Sequence, residues 1–206
     1  GMMGKKKNNM KKLLGILVLG LLFISNSFAD NHKIENYTLS DLGKVGDSLL
    51  DIVNEEMIIE QKKFSYLKDL DYYDVLFEFG TNEFAQFYLK SGDTDYLIQA
   101  LGIVMYIEKN ECLALKKEIR KEWDIQFASQ KFETSSNPIV YDKSGQSIEH
   151  IDQYTFKDGA VAKITCRNFS EQMKAQSQDQ DDFSVFYESA NFAKWMKLYL
   201  IKLITD

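Results

Sequence analysis

The sequence predicts an α+β domain: an antiparallel sheet of about six strands covered by helices, in the order α-βββ-α-βββ-α. Three observations carry this. Segments that alternate apolar and polar residues come in consecutive runs. The connections within a run are shorter than the dozen or more residues a parallel crossover needs. Segments with apolar residues recurring every three or four positions stand before, between and after those runs.

The elements follow in order. Asp47 or Ser48 opens a helical pattern in which Leu49, Leu50, Val53 and Met57 share a face, with Asp51, Glu55, Glu56 and Glu60 polar. From Tyr72 to Phe79, Tyr73, Val75, Phe77 and Phe79 alternate with Asp74 and Glu78, the pattern of a half-buried strand. A second strand runs from about Phe84 to Lys90, with Ala85, Phe87 and Leu89 on one side, and the Ser91–Asp95 cluster turns the chain. Tyr96 to Glu108 reads as a third strand interrupted or bulged at Gly102. Asn110 then caps a helix over Glu111–Gln126 whose stripe is Cys112, Leu115, Ile119 and Trp123.

Beyond this helix, the stretch to Glu149 reads as loop, with the turn Asp142-Lys143-Ser144-Gly145 and one short strand at Ile139–Tyr141 after the lone proline, Pro138. Ile151–Phe156 and Ala160–Asn168 form a hairpin about Lys157-Asp158-Gly159. The polar stretch Glu171–Asp182 is expected to be a mobile loop before a sixth strand at Phe183–Glu188. A last helix from about Asn191 to Ile204 lines up Phe192, Trp195, Met196, Tyr199 and Leu203.

Residues 1–29 read as a signal peptide and 30–206 as one mature domain. Lys5, Lys6, Lys7, Lys11 and Lys12 precede an apolar run from Leu13 to Ser25, and Ser27-Phe28-Ala29 supplies the small residues of a cleavage site. That run falls short of the roughly twenty apolar residues of a membrane span. The expected location is the periplasm or the exterior. Without its five lysines the chain carries 20 basic and 31 acidic residues, a net −11. Dispersed basic residues in so acidic a chain argue against nucleic acid as a partner. Cys112 lies on a helical apolar stripe and Cys166 on the apolar face of its strand with Ala162 and Ile164. In an oxidising compartment this predicts a disulfide that closes about 54 residues and contributes about 4 kcal/mol.

Gly46-Asp47-Ser48-Leu49 resembles the nucleophile block of the GDSL esterase and lipase family, and Gly80-Thr81-Asn82-Glu83 resembles its Gly-x-Asn-Asp block. The resemblance implies Ser48 as nucleophile, Gly80 and Asn82 at an oxyanion hole and His150 as base. The flanking chain argues otherwise. Thr38–Val45 is polar and broken by glycine rather than a buried parallel strand, and the position three before His150 is Ser147, not aspartate. The mature chain's other histidine, His32, lies beside the cleavage site. Without an orienting carboxylate the base loses tautomer control. Asp47 and Ser48 are better read as helix caps, with Asp51 completing a capping-box-like start.

Asp69, Asp71 and Asp74, or Asp179, Asp181 and Asp182, lack the glycine and terminal glutamate of a calcium loop, and the histidines and cysteines lack zinc spacing. No metal or cofactor is expected. Lys194–Lys202 is basic and amphipathic, so membrane contact is open to the last helix alone, although docking on the sheet with solvated lysines is the simpler reading.

Together, Val45–Asp51, Asp95-Tyr96-Leu97-Ile98, Asn110-Glu111-Cys112 and Ile164-Thr165-Cys166 resemble a family of small exported proteins of unknown function from AT-rich Gram-negative bacteria. That resemblance implies a disulfide-bearing scaffold and no catalytic residues. The expected function is an exported binding module whose partner is an unidentified protein or envelope component, with a Ser48–His150 esterase as the alternative.

Overall fold

A computed structural model describes residues 33–177 and 180–205. The signal-like segment, His32 and Asp179 lie outside the described residues. The fold is α+β. Its strands are β1 (Tyr72–Gly80), β2 (Glu83–Lys90), β3 (Ile98–Tyr106), β4 (Lys131–Pro138), β5 (Ile148–Thr155), β6 (Val161–Asn168) and β7 (Asp182–Glu188). Its helices are α1 (Glu55–Lys62), α2 (Lys109–Gln126), α3 (Glu171–Ser177) and α4 (Ala190–Thr205). All seven strands form one antiparallel sheet in the order β1-β2-β3-β7-β6-β5-β4. Two meanders therefore meet at the β3–β7 ladder. α2 carries the chain from the centre of the sheet to its far edge.

The first face holds the main core. Tyr73, Val75, Phe87, Leu101, Ile103, Ile164, Phe183, Val185 and Tyr187 form one core with Ile58 of α1 and with Cys112, Ile119 and Trp123 of α2. The 33–53 segment covers the rest of that face with Ile34, Tyr37, Leu39, Val45 and Leu49. Edge-to-face aromatic packing fixes the centre, with Trp123 against Phe127 at 5.1 Å and Tyr37 against Phe127 at 4.9 Å between centroids. Cys112 and Cys166 are joined by a disulfide, their Cα atoms 5.9 Å apart, which ties α2 to β6.

Five expectations change. The helix expected from Asp47 is a short 3-10 turn, Leu49–Asp51, followed by α1; Asn54 starts α1 by accepting from Met57 N at 2.9 Å. Lys131–Pro138 is a strand, and Ile139–Tyr141 is not: Asp142 N donates to the Ile139 carbonyl, turning the chain there. The irregularity beside β3 lies between Tyr88 and Leu89 of β2, while Gly102 pairs in register with Gln86. Gly102 is required for packing instead, because a Cβ there would meet Phe186 Cε1 and the Val185 carbonyl at 2.5 Å. Part of the Glu171–Asp182 stretch is helical: Ser170 Oγ accepts from Met173 N and Ser170 O from Lys174 N. Finally, α2 starts at Lys109, so Asn110 lies inside the helix rather than capping it.

Candidate functional site

The structure does not bring the esterase candidates together. Ser48 sits against Leu97, just before β3, where its Oγ donates to the Asp95 carbonyl at 2.7 Å and accepts from Leu50 N at 3.3 Å. Asp47 accepts from Lys44 N at 3.2 Å. His150 lies on β5 in the row His150–Cys166–Phe183–Met105. From Leu97 to Met105 is about 26 Å along β3, and three strand spacings add about 14 Å across the sheet. Gly80 and Asn82 lie at the β1–β2 turn, beside Met105 and at the opposite end of the sheet from Ser48. His150 Nδ1 instead meets Ser136 Oγ of β4 at 2.8 Å. Burial, with Lys109 and Lys116 nearby, holds the imidazole below its usual range and therefore neutral at pH 7.

Three of the acidic candidates have structural partners. Asp74 accepts from Ser65 Oγ and from Gln86 Nε2, Asp181 takes Lys174 and Phe169 N, and Asp182 takes Arg167. Among the described residues no group of three or more histidine, cysteine, aspartate or glutamate side chains is placed to hold a metal ion.

The surface that stands out is on the second face. There α4 docks through its first half only. Phe192 packs on Tyr72 and Tyr88 at 5.4 and 4.7 Å, Trp195 on Tyr72 at 4.9 Å, and Tyr199 stacks on Trp195 at 5.4 Å. Leu67 joins this cluster, bringing the loop after α1 alongside the helix. Past Tyr199 the helix runs into solvent. Leu198, Leu200, Ile201, Leu203 and Ile204 are exposed, and in the adjoining loop Phe64 and Tyr66 are 76% and 68% exposed. Lys194, Lys197 and Lys202 stand among them, α4 carries no acidic residue from Ala190 to Thr205, and none of the three lysines is in an ion pair among the described residues.

No family model, curated protein or solved structure matches this chain.

The base of this surface is polar and held in place. Tyr66 and Tyr88 share a hydroxyl hydrogen bond over the sheet. Desolvation of its hydroxyl end, with the Asp74 charge nearby, pushes Tyr66 up to about 12; burial takes Tyr88 well above its usual range. Both phenols stay protonated at any physiological pH, Tyr88 donating and Tyr66 accepting in their shared bond. Farther across the same face, Lys163 pairs with Glu188 at 2.9 Å and Arg167 with Asp182 at 3.0 Å. Glu188 and Asp182 are buried here, each satisfied by its cation. The apolar end of α4 is what needs an explanation. The sequence marked α4 but not the loop beside it; the run Lys62-Lys63-Phe64-Ser65-Tyr66-Leu67-Lys68 is the signal that could have done so.

Proposed function

We propose that the protein is an exported binding module, acting in the periplasm or outside the cell, that meets its partner through the free end of α4 and the adjoining Phe64–Leu70 loop. One observation carries this reading: five of the seven residues from Leu198 to Ile204 are apolar and exposed, on a helix whose first half is docked. Contiguous apolar surface of this kind, bordered by polar residues, marks an interaction site. The Cys112–Cys166 bond supports an oxidising compartment. The basic, apolar and small-residue pattern of residues 1–29 supports export.

Site-directed photo-crosslinking in intact cells tests it. A photoreactive residue at Leu198 or Ile201 is expected to give adducts, protein or lipid. The control is Ile125, which is 82% exposed on α2 and away from this surface. Equal adduct yields at all three positions would sink the proposal.

A further inference from the structure

Resting on that reading, we infer that the partner is an anionic lipid surface, on which the end of α4 lies. The distribution of the exposed side chains favours lipid over protein. At ~100° per residue, Leu198, Leu200, Ile201, Leu203 and Ile204 point around most of the helix rather than along one stripe. A groove on a protein covers one stripe of a helix and leaves the remainder in water. A fluid interface takes up apolar side chains over so wide an arc and leaves the interspersed lysines at its polar level.

Charge selects the kind of lipid. The described part of α4 carries three lysines and no acid, in a chain of net charge −6. Such a helix is attracted to anionic headgroups while the bulk of the molecule is repelled, which fixes the orientation with α4 down. Lys194, Lys197 and Lys202 can lay their methylenes along the apolar surface and lift their ammonium groups to the headgroups. Trp195, Tyr199 and exposed Tyr66 lie at the root of the patch, the level that amphipathic aromatic rings occupy at an interface. A second copy of the chain is a poorer occupant, since a two-fold contact at this surface would set three lysines against three. No helix among the described residues is long and apolar enough to cross a membrane, so the contact is with the surface.

Vesicle co-sedimentation of the full chain, in the form export leaves it, tests the inference. Vesicles of phosphatidylcholine with phosphatidylglycerol are expected to bind it, and vesicles of phosphatidylcholine alone to bind it weakly, with the difference shrinking as salt rises. Each lysine near an anionic surface is worth about fivefold, so Lys194→Gln/Lys197→Gln/Lys202→Gln should lose roughly a hundredfold. Ile201→Ser/Ile204→Ser should abolish binding without moving the unfolding midpoint, since both side chains are already in water. Equal binding to the two vesicle types, a triple-glutamine variant that binds like the parent, or no binding to either would overturn the inference. So would a dimer in sedimentation velocity that Ile201→Ser/Ile204→Ser dissociates. Absent vesicle binding with α4 crosslinks to protein would discard lipid and keep the surface; absent both, neither stands.

Discussion

Asp142 is the residue on which most polar bonds converge. Its carboxylate accepts from Ser144 N and Oγ at 2.9 and 2.8 Å, from Ser147 N and Oγ at 2.9 and 2.5 Å, and from Ser170 Oγ at 3.2 Å. The knot pins the β4–β5 connection to the start of α3. The Ser147 and Ser144 bonds favour the charged form and hold the carboxyl well below its usual range. A folded-state value below the unfolded one means the contribution is fully present above about 3.9 and is lost as pH falls further. Asp142→Asn, which cannot accept all five bonds, should lower the urea midpoint at neutral pH, and the gap to the parent should narrow in acid. A gap independent of pH would refute this. The turn at Asp142-Lys143-Ser144-Gly145 was legible because turn residues act locally. The convergence of Ser147 and Ser170 was not, since 23 residues separate them.

At the scale of elements, the strands and helices that bury a face were readable and those that do not were misplaced. β1, β2, β6 and β7 alternate because one face packs on α2 and the 33–53 segment. β4 lies at the sheet edge, pairs with β5 alone and is exposed along nearly all its length, so Ser135, Ser136 and Asn137 serve there as well as apolar residues would. A polar edge strand leaves no periodic signal. The Cys112–Cys166 pairing was readable because both cysteines sat on faces already assigned to the core. Its loop of 54 residues should contribute about 4 kcal/mol by restricting the unfolded chain. Cys112→Ala/Cys166→Ala should therefore lose about that much in guanidinium denaturation, and a loss under about 1 kcal/mol would put the stabilisation elsewhere.

For the whole molecule, the sheet is complete only when residues 98–106 meet residues 182–188. That β3–β7 ladder lies at the centre of the seven strands, so its amides should exchange through global unfolding and be the last to exchange, while β4 amides should exchange first. Hydrogen exchange in which β4 outlasts β3 would contradict this architecture. The ladder pairs residues 76 to 88 positions apart, from Tyr106–Asp182 to Ala100–Glu188, and the loop it closes makes folding slow relative to helical proteins of this size. The sequence by itself determined the fold class, the strands of the two meanders other than β4 and the cysteine pair, because burial of one face imposes a period that neighbouring residues reveal. Tertiary structure alone decided that Ser48 and His150 lie far apart, that His150 meets Ser136, and that α4 docks by half its length beside the loop carrying Phe64 and Tyr66. These depend on which strand ends beside which, and no local pattern encodes that.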